Sequence, residues 1–506
     1  MSGMEPDGVH LNGASLVVAS NRGPISVTER DDGDNAIGRG GGGLVSGMLA
    51  ALTGREDVLW VCAALNEAER ALAESAAGQR VSGPGSDTDL LGGVGVRMLP
   101  IDARTFRLAY NGIANSALWY LAHMLFDTSR SPLFDSSWRA QWSAYRRYNL
   151  AFAEALDHES GEGATVMIQD YHLNLAPAQL RARRRDLKIA HFTHTPWAPP
   201  EYFAIMPDDV GAEILDGLLG ADLLGFHTAR WAGAFLDCCA EILRAPVTRE
   251  DDGGGTVQAG DGRLVRVRVF PLGVDVEFLR DRVYQRDAQA KMRALRKHVG
   301  DRAVITRVDR TELSKNILRG LMAYREFLRA NPAWHNRVVH LVFAYPSRSE
   351  LPDYRAYTAE ISRLADEIDD EFATDQWQPL RLELVEDLPA SLSAMRIADV
   401  MLVNPIRDGM NLVIKEACVL SENNAVAILS RQAGAAEELG SDAVMINPYD
   451  VVGTAAAIRI ALEMPEVERE LRAGRLRNTS RGASPQVWFA SQIAAVSELA
   501  AGSPAD

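Results

Sequence analysis

The run Asp399-Val-Met-Leu-Val-Asn-Pro405 is almost entirely apolar, as a strand buried on both faces of a sheet would be. Arg407-Asp408-Gly409-Met410-Asn411 follows, and then Leu412, Val413, Ala417 and Leu420 fall at helical spacing. The order strand, tight turn, helix predicts a βα unit. A helix N-terminus presents unpaired N–H groups and the positive end of its dipole, and a glycine there lets phosphate oxygens approach the main chain. Such a turn can hold a diphosphate through Gly409, Met410, Asn411 and Leu412. Farther along the helix, Glu416 would be placed to accept hydrogen bonds from a ribose, and Asp408 could meet sugar hydroxyls. From spacing alone, an ordinary βα loop with solvated charges fits equally well.

The surrounding sequence repeats the alternation. Ala303–Val308, Val338–Ala344, Leu380–Val385, Val400–Val403, Ala425–Leu429 and Val444–Ile446 read as strands separated by helical patterns. That is the pattern of a parallel sheet covered on both faces. After the first of these strands stands Arg310-Thr-Glu-Leu-Ser-Lys315-Asn316. An arginine fork and a lysine point charge on one loop can together hold the phosphates of a leaving nucleotide.

The first half is organised in the same way. Leu16–Ser20 and Val58–Cys62 read as buried strands, and the polar insertion Glu29–Asn35 is expected to be mobile. Gly40-Gly-Gly-Gly43 precedes Leu44, Val45, Met48 and Leu49, a glycine-rich helix start. Ala164–Asp170 and Lys188–His194 are strands that each deliver a polar residue to their carboxyl end, where ligands of open α/β sheets bind. Leu223–His227 continues the series, Trp231–Leu243 reads as an amphipathic helix, and the acidic, glycine-rich stretch Thr248–Gly262 as a surface hairpin. An interdomain linker is expected at Pro271–Asp275, and Pro485–Leu499 reads as a final helix.

At 506 residues and 47% hydrophobic, the chain can supply two domains with a core each. A formal net charge of −15 argues against a nucleic-acid or anionic-membrane surface. Cys62, Cys238, Cys239 and Cys418 show no metal-ligand spacing and sit in apolar contexts, which fits reduced thiols and a cytoplasmic protein. Neither an export signal nor a membrane span is expected. Only five lysines occur, and two of them, Lys315 and Lys415, fall in these motifs.

From about Leu16 to Leu499 these ordered motifs resemble the trehalose-6-phosphate synthases, retaining nucleotide-sugar glucosyltransferases. The resemblance extends to Gln432–Leu439 and Asn447–Asp450. It implies an α/β chain of two Rossmann-like domains facing a cleft, the GT-B architecture. Residues 1–272 would bind the acceptor, 273–484 the nucleotide sugar, and a helix over 485–500 would cross back to the N-terminal domain. It assigns catalysis to Asp170, His194, Arg310, Lys315 and Asp408. Donor binding falls to Arg22, Gly43, Gly409, Met410, Asn411, Leu412 and Glu416, and acceptor binding to Tyr110, Trp119, Asp170 and Arg348. Tyr110 and Trp119 read equally well as core aromatics on a helix. Ala63, Glu312 and Asn316 depart from the family pattern of tryptophan, aspartate and glycine.

The implied reaction moves glucose from a nucleoside-diphosphate glucose to glucose 6-phosphate with retention. No cofactor or metal is required by it, since the nucleotide sugar is a co-substrate. The expected partners are those two substrates, with no nucleic acid and no membrane, and a homo-oligomer is compatible. A synthase with another phosphorylated acceptor and a non-catalytic regulatory paralogue are the alternatives.

Overall fold

A computed structural model of the chain describes residues 13–29, 35–39, 43–52, 55, 57–81, 91, 93–348, 350–482 and 484–501. The chain divides into two compact units, Met1–Pro271 with Pro485–Asp506, and Leu272–Ser484.

The first unit is built on a nine-stranded sheet. Its strands are β1 (Ala14–Ser20), β4 (Val58–Ala63), β5 (Gly95–Leu99), β6 (Ser160–Gln169), β7 (Lys188–Thr193), β8 (Leu223–Phe226), β9 (Val247–Arg249), β10 (Gly255–Gln258) and β11 (Leu264–Val269). The short ribbon β2 (Ile25–Glu29) and β3 (Asn35–Arg39) lies outside it. Strand order is β5-β4-β1-β6-β7-β8-β11-β10-β9, parallel as far as β11. Val17, Val18 and Ala19 of β1 are fully buried, as expected of a central parallel strand covered on both faces. The winding direction reverses between β1 and β6, which makes their carboxyl ends a topological switch point.

One stretch does more than its sequence suggests. The hairpin expected over Thr248–Gly262 is present as β9 against β10, and together with β11 it forms an antiparallel extension that continues the main sheet. Alternation explains this, because Val257, Val265 and Val267 all point inward and are fully buried. Glu29 and Asn35, the ends of the polar insertion, pair with each other in the β2–β3 ladder; residues 30–34 between them lie outside the described residues. So do Gly40–Gly42, while Gly43 opens the helix Gly43–Leu52.

In the second unit all six strands are parallel: β12 (Ala303–Arg310), β13 (Val338–Tyr345), β14 (Leu380–Glu383), β15 (Val400–Val403), β16 (Val426–Ser430) and β17 (Val444–Ile446). Their order is β14-β13-β12-β15-β16-β17, a doubly wound sheet that reverses between β12 and β15. All four residues of β15 are buried.

The final helix, Pro485–Ala501, belongs to the first unit. It packs on the helix Gly43–Leu52 and on β7. Trp488 anchors it: the indole is 2% exposed, stands edge-on to Phe192 at 4.8 Å and donates from Nε1 to the Phe270 carbonyl at 3.1 Å. Truncating a buried aromatic of this size removes apolar burial and leaves a cavity. Trp488→Ala is therefore expected to destabilise the first unit by about 3–5 kcal/mol, measured as a lower denaturation midpoint.

Candidate functional site

At the carboxyl ends of β12 and β15 the second unit gathers most of its motif residues. Lys315 closes a short 3₁₀ turn, Leu313–Lys315, and its Nζ pairs with Asp408 Oδ2 at 2.6 Å. Both side chains are about 15% exposed. Burial alone would pull the ammonium down, but the carboxylates of Asp408, Asp309 and Glu312 outweigh it and hold Lys315 above the ordinary lysine value. Lys315 is therefore a fixed cation throughout the physiological range. Arg310 ends β12 with its side chain largely exposed, and its Nη2 lies 3.2 Å from Glu312 Oε1.

Glu312, one of the departures from the family pattern, is completely buried and serves two arginines. Its Oε1 faces Arg310, and its Oε2 lies 3.0 Å from Arg348 Nη1. Ser347 Oγ donates to the same carboxylate at 3.1 Å. The longer glutamate reaches both guanidinium groups from inside the fold, which ties Arg348 to the Arg310 loop. Arg348 itself has φ 47°, and its guanidinium lies 5.5 Å from the Tyr354 ring.

The turn after β15 is held on two sides. Asn411 adopts φ 79° and caps the helix Leu412–Leu420 by accepting from the Ile414 N–H at 3.1 Å, while its Nδ2 donates to Asp408 Oδ2 at 3.0 Å. Opposite, the Gly434 N–H donates to the Asp408 carbonyl and the Ala435 N–H to the Met410 carbonyl, at 3.1 and 2.7 Å. A Cβ on Gly434 would lie 1.9 Å from the Gly409 carbonyl oxygen, so only glycine lets the two loops come this close. Gln432–Leu439 thus acts as a backing for the turn. With its carbonyls engaged behind, the turn keeps the helix N-terminus of Leu412 as its anion-attracting end.

Inside that helix, Lys415 is structural: it is 1% exposed, pairs with Glu438 and donates to the Leu272 carbonyl at 2.9 Å. Glu416 is different. It is partly buried, and among the described residues its carboxylate accepts no hydrogen bond; enclosure pushes its pKa up to about 7. A carboxylate in that state is ready for neutral hydrogen-bond donors such as ribose hydroxyls.

In the first unit, Asp170 sits immediately after β6 with φ 70° and ψ 169°. An aspartate in this region, which glycine alone enters readily, stores about 1–3 kcal/mol of strain. Surrounding bonds impose the conformation: the Asp170 N–H donates to the Phe192 carbonyl at 2.8 Å, and Oδ1 accepts from the His194 N–H at 3.1 Å. Asp170 and His194 are thus brought together at the ends of adjacent strands. His194 Nε2 lies 3.0 Å from Gln169 Oε1. Burial, with His227 and His191 nearby, keeps its pKa well below the ordinary histidine value, so the ring is neutral.

Tyr110 and Trp119 are joined to each other by a series of rings through the two residues that follow Asp170. Tyr110 stacks on His172 at 5.6 Å, His172 lies against Tyr171 at 4.1 Å, and Tyr171 meets Trp119 at 5.8 Å. Tyr110 belongs to an 11-residue π-helical stretch, Leu108–Leu118, which widens the helix and turns the side chains off the usual 3.6-residue stripe. Trp119 is only 8% exposed and stacks on His123, so it is mainly a core residue. Arg22 is exposed after β1, where its carbonyl accepts from Ser20 Oγ at 2.6 Å. Ala63 is buried at the end of β4.

Sequence reading missed the layer beneath Lys315: Arg307, Asp309 and Asn404, all buried. A charged pair with one apolar residue between them, inside an apolar strand, was the available signal. Among the described residues no group of three or more His, Cys, Asp or Glu is placed to hold a metal, and no helix is long and apolar enough to cross a membrane.

The state of Glu416 has a measurable consequence. Its unfolded value is about 4.3, so at lower pH both states are protonated and no stability is lost. Between that pH and about 7 the unfolded chain ionises first and stability falls, and above 7 the loss is complete. Glu416→Gln is expected to gain thermal stability relative to the parent as pH rises from 5 to 8. A constant difference across that range would contradict the assignment.

Comparison with known proteins adds the family. Among curated relatives, the bifunctional trehalose-6-phosphate synthase/phosphatase of Thermoproteus tenax is 34% identical over 90% of this chain and 60% of its own length. Two further relatives are spanned over 54% and 47% of their length, so this chain covers about half of several longer proteins. A trehalose-6-phosphate synthase of Mycobacterium sp. (strain JLS) is 34% identical over 94% of this chain and 95% of its own length. Among solved structures, the α,α-trehalose-phosphate synthase (UDP-forming) of Burkholderia xenovorans in complex with glucose-6-phosphate aligns with a TM-score of 0.81 at 26% identity, covering 95% of this chain and 100% of that one. An E. coli structure bound with UDP-2-fluoro glucose aligns with a TM-score of 0.78 at 27% identity, covering 95% and 98%. These neighbours share the two-domain GT-B architecture. The model of glycosyltransferase family 20 matches residues 14–498, and the chain belongs to that family.

Proposed function

We propose that the chain transfers glucose from a nucleoside-diphosphate glucose to glucose 6-phosphate, giving α,α-trehalose 6-phosphate and a nucleoside diphosphate. The observation that carries this reading is the Lys315–Asp408 pair at the β12/β15 switch point, beside the N-terminus of Leu412–Leu420. The reading is also supported by the Burkholderia relative with glucose-6-phosphate and the E. coli structure with UDP-2-fluoro glucose. The latter makes uridine the first base to test; a guanosine donor fits the same site chemistry.

In this reading the C1–phosphate bond breaks as the acceptor's hydroxyl oxygen bonds to C1 on the same face, and the hydroxyl proton passes to the leaving diphosphate. Negative charge grows on that diphosphate. Arg310, Lys315 and the amides from Gly409 to Leu412 stabilise it, and because they are already oriented they need no reorganisation as the charge develops. Asp408, engaged by Lys315 and Asn411, orients the lysine and meets donor hydroxyls rather than acting as a base. Glu416 takes the ribose. On the first unit, Asp170 binds the acceptor sugar and neutral His194 offers a hydrogen bond to the donor sugar without adding charge. Tyr110 and Trp119 are assigned to the acceptor side, Arg348 to its phosphate, and Arg22 and Gly43 to the donor. No cofactor enters this scheme, because the glycosyl group arrives already activated. Cytoplasmic residence fits substrates of this kind.

Nucleoside diphosphate release tests the proposal, with UDP-, GDP- and ADP-glucose offered in turn and glucose 6-phosphate as acceptor. Trehalose 6-phosphate is the expected product, and Lys315→Met is expected to lower turnover about 100- to 1,000-fold. Turnover only with glycerol 3-phosphate or a cyclitol phosphate would overturn the acceptor assignment. Nucleotide binding without turnover on any acceptor would point to a regulatory paralogue.

A further inference from the structure

The ladder between β12 and β15 stops early. Only Ile305 pairs with Val400 and Thr306 with Met401, although β12 continues to Arg310. Beyond that point the two strands are joined by side chains, and the principal one is Arg307. Its guanidinium is 1% exposed: Nη1 donates to Asn404 Oδ1, Nη2 donates to the main-chain carbonyl of Lys315, and Nη2 also lies 3.0 Å from Asp309 Oδ2. One planar fork thus engages the end of β15, the turn that carries Lys315, and a buried counterion.

The neighbouring bonds lock the same turn. Asn404 Nδ2 donates to the Asn316 carbonyl at 3.2 Å, and Asn316 Nδ2 donates to the carbonyls of Asn404 and Pro448 at 2.9 and 2.7 Å. Asn316 holds φ 59°, a left-handed conformation that asparagine tolerates. From above, Lys315 Nζ is held by Asp408. The charges alternate from Arg307 through Asp309 and Lys315 to Asp408, and each cation has a carboxylate partner.

We infer that Arg307 is a positioning residue: by gripping the Lys315 carbonyl and Asn404 together, it sets where the Lys315 ammonium stands relative to the diphosphate. This rests on the proposed function, in which Lys315 faces the leaving group. A buried cation bound only to its counterion would steady the core without choosing the position of a loop. The bond to the Lys315 carbonyl is what makes the site depend on it. Gly320 belongs to the same device, because a Cβ there would lie 2.4 Å from Arg307 Nη1 and 3.2 Å from Asn404 Oδ1. The absence of a side chain at that helical position leaves the guanidinium its place.

Two variants test this in the full chain. Arg307→Lys keeps a cation beside Asp309 but cannot bridge both oxygen partners. Gly320→Ala changes no charge and improves the intrinsic helix propensity of the position, yet it displaces the guanidinium. Misplacing a stabilising group by about 1 Å can cost about 100-fold. Both variants are therefore expected to lose about 10- to 100-fold in kcat/KM, with weaker binding of UDP or GDP by calorimetry and an unchanged KM for glucose 6-phosphate. A merely structural role would lower the melting temperature and leave nucleotide affinity alone. Parental UDP or GDP affinity in folded Gly320→Ala would overturn the inference whether or not Arg307→Lys folds. Parent protein that binds no nucleoside diphosphate at all would defeat the proposed function, and this inference with it.

Discussion

The pairing of Lys315 with Asp408 joins the two loops that follow β12 and β15, the strands between which the second sheet reverses direction. At such a reversal the helices that follow neighbouring strands lie on opposite faces, so the loops diverge and leave a crevice. Opposite charges drawn into that crevice hold it to one width. The pair is only slightly exposed, so water screens it weakly, and losing either partner would deprive the other charge of its nearest counterion. Glu312, Asn316 and Gly434 extend the same constraint. Glu312 adds Arg348 to the Arg310 loop, Asn316 ties the lysine turn to Pro448, and Gly434 lets a third loop lie against Gly409.

The first unit reaches comparable rigidity through backbone strain and aromatic packing. Asp170 holds a conformation that costs free energy, and it persists because the ends of β6 and β7 bind it through the Phe192 carbonyl and the His194 amide. His194 is kept neutral by burial and neighbouring imidazoles, and Trp488 of the final helix lies 5.6 Å from its ring. The end of the chain therefore bears on the environment of a residue assigned to the donor sugar.

Much of this was legible in the sequence. Val400–Val403 and Val444–Ile446 are strands over the very residues whose apolar run marked them, and the turn at Gly409 opens a helix as the spacing of Leu412, Val413 and Ala417 required. What resisted reading depends on distant partners. The roles of Glu312 and Gly434 become apparent only once Arg348 and Gly409 are beside them. Lys415, one of the two lysines that fall in the motifs, is spent on Glu438 and the Leu272 carbonyl. Arg307 and Asp309 mark a charged pair in an apolar strand, but the pair alone does not reveal that β12 and β15 part company at that position. The π-helical stretch around Tyr110 likewise left no periodic trace that a 3.6-residue pattern could register.

The most direct test of the account is a double-mutant cycle across the central ion pair. Apparent unfolding free energies would be compared for the parent, Lys315→Met, Asp408→Asn and the double variant. Contacting charges typically couple by about 0.5–3 kcal/mol. The account requires a coupling in that range, with the double variant more stable than the sum of the single losses would allow. Additive losses would mean that the two loops are held by other contacts, and that Lys315 and Asp408 do not organise the switch point.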